Sequence, residues 1–251
     1  MGGKKYRIRS IDSIIEELEK VKQKYIIFVD PSLSINVPYM KNLFRRMVSL
    51  NKKFACFMNI NAAHDDEFLN LASEAGCIAL SIGFETFSES AMKGLIKLPK
   101  KTEDYKRAVK KIHEHGIAVL GSFVFGFDDD KKDVFENSLN LMKYIDVDSV
   151  GVNILTPFPG TPLFDRLERE ERIFTRDWSR YNMRDVVFFP KHMSPEELKE
   201  GASHVAKEFF SWKNIINKLV NATRYGILRS LPITYWNLAQ RRAFKNIWKW
   251  S

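Results

Sequence analysis

A proline-rich stretch that directly follows a strand-like run is the first candidate for a ligand-binding segment. Residues 153–164 read N-I-L-T-P-F-P-G-T-P-L-F, and the apolar residues just before them suit a buried strand. Pro157, Pro159 and Pro162 remove three backbone donors and fix three φ angles, so the strand must end in an open loop. In a mostly parallel sheet, ligands bind at loops that follow the carboxyl ends of strands. The alternative is a proline-rich connector into a helix over residues 162–170.

Polar side chains also follow other strand-like runs. Glu85 comes after an apolar run and a glycine, where its carboxylate could accept hydrogen bonds from ribose hydroxyls or an amino group. A surface carboxylate in a turn is the alternative. Asp128 follows a later run, where it could contact a polar ligand or belong to a carboxylate cluster at a helix N-terminus. The candidate rim positions for a substrate or cofactor are Asp30, Asn59, Asn61 and Asp128.

Several common catalytic motifs are absent from the sequence. GxGxxG, GxxxxGK[ST], HExxH and GxSxG do not occur, so nucleotide hydrolysis, zinc proteolysis and serine hydrolysis lack their usual support. The five histidines fall at no metal-binding spacing. Cys56 and Cys77 have no CxxC or Cys/His spacing around them and are predicted to be small buried apolar residues. We therefore predict neither a disulfide framework nor a metal site formed by this chain alone.

The elements that position these residues alternate along the chain. Apolar strand-like runs alternate with amphipathic helices of ten to fifteen residues, a pattern typical of a parallel α/β sheet with right-handed crossovers. The predicted sheet is either open or curled toward a barrel. The predicted strands are 25–29, 53–58, 77–82, 117–125 and 149–155, and the predicted helices are 10–23, 38–50, 65–74, 102–115 and 132–144.

This alternation stops near residue 170, which divides the chain into three predicted parts. Residues 1–170 form the barrel-like part. Residues 171–211 form a separate module that ends in a helix beginning at Ser194, because serine, proline and glutamate there match a capping box. Residues 212–251 are predicted to form a basic, aromatic tail of two helices, broken by Gly226 and Pro232.

Composition and charge narrow the class of protein. The 251 residues are 45% hydrophobic and 28% charged, as in a globular protein. No apolar run approaches the roughly 18 residues needed to span a bilayer, and the basic N-terminus lacks the apolar segment of a signal peptide. A cytoplasmic location is therefore predicted.

The charge is concentrated in the tail. The net charge is +9, and after Glu208 there are eight lysines and arginines but no acidic residue. Interleaved tryptophans would allow this tail to dock on anionic lipid or to bind single-stranded nucleic acid. We favour an amphipathic helical cap on the barrel with a solvated basic face, then peripheral membrane contact. Nucleic-acid binding is the least favoured.

An ordered set of motifs resembles the radical S-adenosylmethionine (SAM) enzymes. The resemblance is closest to the subgroup with an N-terminal cobalamin-binding domain, which includes hopanoid-methylase-like proteins, and it covers nearly the whole chain. The motifs are Y-R-I-R-S at 6–10, F-V-D at 28–30, G-F-E-T at 83–86, F-G-F-D at 125–128 and L-T-P-F-P-G-T-P-L-F at 155–164. Residues 177–181, residues 189–198 and the basic tail resemble that subgroup's C-terminal module.

The resemblance implies a partial (β/α) barrel with SAM lying across the carboxyl ends of its strands. Glu85 matches the acidic residue that contacts the cofactor. The segment from Gly121 to Gly126 matches a glycine pattern beside the adenine, and Leu155 to Pro157 matches a backbone contact. The implied cofactor-binding residues are Glu85, Gly121, Ser122, Gly126, Leu155, Thr156 and Pro157.

This chain departs from the family at the cluster-binding loop. Family members hold a 4Fe-4S cluster through CxxxCxxC after the first strand, and three thiolates are needed, but that motif is absent here. The chain resembles the family from near Lys4 onward, after that loop, and lacks the cobalamin domain. The resemblance therefore implies the cluster and cobalamin as cofactors, with no ligands for them here. The strand at 25–29 would have an unpaired parallel edge.

The family resemblance and the absence of the CxxxCxxC loop lead to two alternative functions. The first is the C-terminal part of a cobalamin-dependent radical SAM enzyme, a C-methyltransferase that acts on an unactivated carbon of a small-molecule or lipid substrate. Such a chain would need an N-terminal piece carrying the cluster loop and the cobalamin domain, and would not be competent alone. The second is a catalytically degenerate barrel that serves as a binding or membrane-associated scaffold.

Overall fold

A computed structural model describes residues 7–30, 32–85, 102–222 and 227–248. Five parallel strands form one sheet in chain order, and each strand pairs only with its sequence neighbours. The strands are β1 (Tyr25–Ile27), β2 (Lys53–Met58), β3 (Cys77–Glu85), β4 (Ala118–Phe125) and β5 (Ser149–Ile154). The predicted parallel α/β sheet is confirmed, with β3 extending three residues beyond its predicted end.

Nine α-helices are described alongside the sheet. They are α1 (Ile11–Lys20), α2 (Val37–Met47), α3 (Asp66–Glu74), α4 (Thr102–Glu114), α5 (Val134–Tyr144), α6 (Pro162–Arg169), α7 (Pro195–Phe209), α8 (Trp212–Ala222) and α9 (Ile227–Trp248). The helices between strands are the crossovers that parallel pairing requires. The strands and helices together form a half-barrel, which confirms the predicted partial barrel.

The two faces of the sheet differ in side-chain size. Alternate strand residues point to opposite faces, and one set is large and buried in a core shared with the helices, including Phe54, Phe84, Phe123 and Phe125. The other set is smaller and remains partly exposed, especially in β3, β4 and β5. We call this second surface the inner face, because it lines the hollow of the half-barrel.

The outer edge of β1 has no strand partner among the described residues. Tyr25, Ile27 and Val29 are 69%, 62% and 79% exposed, and they share the inner face because they are two residues apart. The predicted unpaired edge is therefore present in the part of the chain that the structure describes.

The opposite edge, at β5, is covered. The Ile154 amide donates to the Met183 carbonyl over 2.7 Å, so the irregular segment after α6 lies along this edge. Helix α7 then packs against α5 and β5. Its predicted capping box is confirmed: the Glu197 amide donates to Ser194 Oγ over 3.1 Å, and the Ser194 amide donates to Glu197 Oε2 over 2.9 Å.

The tail continues as α8 and α9, which pack on each other and on α7. The predicted helical character is confirmed, but the predicted break at Pro232 is wrong, because α9 runs through it. Pro232 is the sixth residue of α9, so the helix continues through it with one intrahelical backbone hydrogen bond fewer. Gly226 lies outside the described residues. None of the described helices has the length and apolar character needed to cross a membrane.

Candidate functional site

The inner face carries a strip of small residues near the carboxyl ends of three strands. Gly83 pairs with Ser122 in β4, and Ser122 pairs with Gly151 in β5. A Cβ built on Gly151 would meet only Asn153 Nδ2 within 4 Å, at 3.6 Å, among the described atoms. We call Gly83, Ser122 and Gly151 the small-residue strip. Its backbone is accessible to a ligand lying across the strands.

Asn153 borders this strip one step closer to the strand ends. Its Nδ2 lies 3.4 Å from Ser122 Oγ and 3.5 Å from the Phe123 carbonyl, which are long, weak hydrogen bonds. The amide is partly exposed and could turn toward a bound polar group. Asn153 is the first residue of the proline-rich candidate stretch, but no role was predicted for it from the sequence. Its spacing of two residues from Gly151 is the signal that marks it as an inner-face position.

The predicted Leu155 to Pro157 segment continues directly from β5. The Leu155 amide donates to the Phe125 carbonyl over 2.8 Å, so β5 stays attached to β4 one residue beyond its end. Thr156 is buried, and its hydroxyl donates to the Ile154 carbonyl over 3.1 Å. Pro157 is also buried. Among these three residues, Leu155 is partly exposed beside the inner face, and their cofactor role stays a prediction.

The rest of the proline-rich stretch begins a helix. The Phe164 amide donates to Thr161 Oγ1 over 3.2 Å, and Pro162 is the first residue of α6. Thr161 Oγ1 also donates to the Phe158 carbonyl over 2.6 Å. The connector alternative therefore explains residues 158–164, while the part next to the inner face is 155–157.

Two predicted glycines serve the packing of the helix-covered side. A Cβ on Gly121 would lie 2.8 Å from Phe123 Cε2 and 3.3 Å from Phe84 Cδ2, whose rings stack. Gly126 has a φ of +109°, and a Cβ there would lie 2.9 Å from Leu198 Cδ2. Both positions need glycine for the fold itself. Their contact with a cofactor stays a prediction. Ser122, which lies between them in sequence, faces inward.

Asp128 is held by three cations. Arg166 Nη1 donates to its carboxylate, Arg172 Nη1 lies 2.8 Å from Oδ1, and Lys191 Nζ lies 3.3 Å from Oδ2. Burial alone would raise the pKa of Asp128, but the bonds from Arg166 and Arg172 lower it to about 2. The carboxylate therefore ties the loop after β4 to α6 and to the segment that follows it. Its predicted contact with a ligand remains a prediction.

Asp130, next in this loop, is buried and fixes the turn after β4. Its Oδ2 accepts the Gly126 amide over 2.8 Å and the Phe127 amide over 3.0 Å. Asp130 therefore holds the loop after β4 in shape.

The other predicted rim residues lie beyond β1 and β2. Asp30 is exposed. Asn59 Oδ1 accepts the Asn61 amide over 2.9 Å, and the Asn59 amide donates to Ser34 Oγ over 2.8 Å. Asn59 and Asn61 line an open groove together with Lys41. The side chain of Lys41 pairs there with carboxylates of the same groove, so this cation already has internal partners.

Glu85 is the last residue of β3, and its backbone pairs with Phe123 after a register shift. The position at the carboxyl end of the strand is as predicted. The Glu85 side chain lies outside the described part of the structure, so its contact with a cofactor stays a prediction.

The cysteines do not provide a cluster site. Cys56 and Cys77 are buried in the neighbouring strands β2 and β3, and burial raises the pKa of the Cys77 thiol. Within residues 7–30, 32–85, 102–222 and 227–248, no group of three His, Cys, Asp or Glu side chains could hold a metal ion. A 4Fe-4S cluster needs three thiolates, so it does not fit these residues.

Comparison with known families decides the class of this parallel half-barrel. The Radical SAM superfamily model matches residues 1–142. This chain belongs to the radical SAM superfamily. The predicted family is therefore confirmed, and the superfamily implies SAM and a 4Fe-4S cluster as cofactors.

Methyltransferases are among the relatives of this radical SAM chain. It is 30% identical over 223 residues to bacteriochlorophyllide d C-12(1)-methyltransferase from Chlorobaculum tepidum, covering 86% of this chain and 48% of that protein. It is 27% identical over 185 residues to hopanoid C-2 methylase from Rhodopseudomonas palustris, covering 70% of this chain and 35% of that protein. The chain thus spans about half, or less, of the length of these relatives.

A solved structure shares the fold of this radical SAM chain. The radical SAM methyltransferase TsrM from Kitasatospora setae, determined with cobalamin and a [4Fe-4S] cluster bound, matches with a TM-score of 0.58 at 19% identity. The match covers 64% of this chain and 32% of TsrM. It supports the half-barrel fold.

Proposed function

We propose that this chain forms the SAM-binding barrel of a cobalamin-dependent radical SAM C-methyltransferase that acts on an unactivated carbon. The small-residue strip of Gly83, Ser122 and Gly151 carries the proposal, because it leaves the backbone of three strands accessible near their carboxyl ends. The methyltransferase relatives support the reaction type.

The residues of this chain would bind and orient SAM. The flat part of the cofactor would lie on the small-residue strip, where a larger side chain would exclude it. Ser122 Oγ and the Asn153 amide are the polar side chains beside it, and Glu85 is proposed to accept hydrogen bonds from the cofactor's amino or ribose groups. With a reduced cluster, one molecule of SAM would supply the radical and another the methyl group. This chain contributes orientation and exclusion of water.

The cluster and cobalamin require a second piece of protein in this proposal. The described residues do not fit a cluster, and the chain spans 48% of its bacteriochlorophyllide methyltransferase relative. We propose that an N-terminal piece carries the CxxxCxxC loop and the cobalamin domain. The outer edge of β1 has no strand partner among the described residues, and Tyr25 and Ile27 are exposed beside it, so this is where a further parallel strand would pair.

We propose that the substrate is a small molecule or a lipid. The names of the relatives include a bacteriochlorophyllide and a hopanoid, which are both large ring systems. Such a substrate is consistent with a cytoplasmic protein that contacts the membrane surface, which we propose as its location.

The test combines this chain with a cysteine-bearing N-terminal piece under anaerobic conditions, followed by equilibrium dialysis with labelled SAM. Ser122→Leu should weaken SAM binding at least roughly tenfold, about 1.4 kcal/mol, because the new side chain covers the strip. Ser49→Leu, at an exposed position near the amino end of β2, is the control and should bind normally. Unchanged binding in Ser122→Leu, or no binding by the reconstituted wild type, would overturn the proposal.

A catalytically degenerate scaffold is the second candidate. The observation that favours it is that the chain has two cysteines and both are buried in the strands. Such a protein would not bind SAM with any cysteine-bearing piece, and its binding to other partners would survive Glu85→Ala. The dialysis experiment therefore separates the two functions.

A further inference from the structure

We propose that one exposed face of the α8–α9 pair is a docking surface for anionic lipid. The proposal goes beyond the methyltransferase function and does not depend on it. It rests on an apolar row on α8, on the cations that border it, and on the contacts that fix both helices to the barrel.

Trp212, Ile216 and Val220 form the apolar row, and they are 58%, 55% and 59% exposed. Residues four apart lie on the same side of a helix, so the three side chains are stacked along one face of α8. The opposite side of α8 buries Ile215 and Lys218. The helix is therefore anchored by one face and presents a second apolar face outward.

Helix α9 extends this surface. The Arg241 guanidinium lies 5.1 Å from the centroid of the Trp212 ring, which places this side of α9 next to the apolar row. Leu238 and Lys245 lie three and four residues from Arg241, so they share its side of the helix. Leu238 is partly exposed, and Lys245 is exposed. The apolar row thus has cations along its border.

The charge of this region identifies the partner as anionic. No acidic residue follows Glu208 in the sequence. Exposed cations of the two helices include Lys213, Arg242 and Lys245. Tryptophan next to lysine and arginine suits the boundary between lipid headgroups and acyl chains. There the aromatic ring and the methylene chains of lysine and arginine can point toward the acyl chains, while their polar ends stay among the headgroups.

The surface is held rigidly on the barrel. Asn237 Nδ2 donates to the Asp148 carbonyl over 2.9 Å, and Arg241 Nη1 donates to the Phe210 carbonyl over 2.6 Å. Phe244 stacks on Phe210 with centroids 5.3 Å apart. Asp148 directly precedes β5, so the tail is fixed at the amino end of this strand. A membrane at this surface would leave the carboxyl ends of the strands, with the small-residue strip, accessible.

The test is vesicle co-sedimentation of the full chain. Vesicles of phosphatidylcholine with phosphatidylglycerol should bind the protein, and phosphatidylcholine alone should bind it at least roughly tenfold more weakly. Binding should fall as salt rises from about 0.1 M to about 1 M, because screening shortens the range of the charges. No binding to the anionic vesicles would overturn the proposal.

Matched variants locate the surface. The double change Trp212→Ser with Ile216→Ser should reduce binding at least roughly tenfold, whereas Val29→Ser with Ile35→Ser removes two exposed apolar side chains elsewhere and should not. Arg242→Glu with Lys245→Glu should abolish the preference for anionic vesicles, and Lys22→Glu with Lys24→Glu should preserve it. Equal loss in test and control variants would overturn the assignment.

Two further readouts separate lipid from other partners. Brominated lipid should quench the tryptophan fluorescence of the wild type, and most of this quenching should disappear in Trp212→Phe. Binding to single-stranded DNA without vesicle binding would overturn the proposal, as would self-association through the same residues. Each variant at an exposed position should unfold at the same temperature as the wild type, which would confirm that it is folded. None of these measurements requires SAM, so their failure is distinct from failure of the proposed enzyme.

Discussion

At the amino end of the sheet, polar side chains are buried against strand-connecting segments, whereas at the carboxyl end the inner face is lined by small, accessible residues. His113 Nε2 lies 2.7 Å from Asp148 Oδ2, and Lys218 Nζ donates to the Val147 carbonyl. The strip around Ser122 has no comparable cover among the described residues. The difference indicates that buried polar groups at the amino end serve the fold, while the carboxyl end remains available for a ligand.

The loops at the carboxyl end of the sheet are nevertheless held in place by ion pairs. The ion pairs of Asp128 with Arg166 and Arg172 hold the loop after β4 from outside the barrel. Because these contacts fix the surrounding loops, the inner face can keep small side chains without losing its shape. Stability and access are therefore provided by different residues at the same end of the sheet.

The largest contrast between the two ends should come from a pair of glycine variants. Gly76, just before β3, has a φ of +97°, and a Cβ there would lie 2.0 Å from the Lys52 carbonyl oxygen. Gly76→Ala should lower the free energy of unfolding by ~3 kcal/mol or more, through backbone strain and collision. Gly151→Ala should change it by less than ~0.5 kcal/mol. Urea unfolding of both variants measures the difference, and equal losses would contradict the comparison.

A smaller loss is expected from Lys218→Ala at the amino end. Burial lowers the pKa of Lys218, and its amine donates to the Val147 carbonyl beneath the tail. Truncation leaves a cavity and an unpaired carbonyl, so the free energy of unfolding should fall by about 2 kcal/mol.

Two further variants complete this test. Lys213→Ala, at an exposed position on the same helix, should cost less than ~0.5 kcal/mol. Lys218→Met keeps most of the side-chain volume and should recover much of the loss. A fully stable Lys218→Ala protein would show that the tail is not held by this residue.

The smallest expected effect concerns Asp128 at the carboxyl end and depends on pH. Its folded-state pKa is lowered from 3.8 to about 2, so its ion pairs stabilise the fold above about pH 4 and are lost as the pH falls through about 2. A pKa difference of one unit corresponds to about 1.36 kcal/mol of stability, and this value is reduced here because Asp128 is partly exposed to solvent. Asp128→Asn should therefore lower the free energy of unfolding by about 1.5 kcal/mol at pH 7.

Urea unfolding of wild type and Asp128→Asn at pH 7 and pH 3 measures this dependence. The difference between the two proteins should shrink at the lower pH. The control is Asp129→Asn, a change at the neighbouring exposed carboxylate that should matter little at either pH. A pH-independent difference would show that Asp128 acts through shape and not through charge.

The sequence determined the order and type of the main elements. Alternating apolar runs and amphipathic helices were sufficient to predict five parallel strands, because strand and helix periodicities are local. The Ser194 capping box was equally local, since all its groups lie within four residues. The ordered motifs also identified the superfamily, as the match over residues 1–142 confirms.

Only the tertiary structure decided which residues face a ligand and which face the core. Gly121 and Ser122 are adjacent in sequence, yet one lies under two phenylalanine rings and the other on the inner face. Lys218 was one of eight tail cations until the fold placed it beneath Val147, 71 residues away in sequence. Such partners are distant along the chain, and local periodicity carries no information about which distant group a side chain will meet.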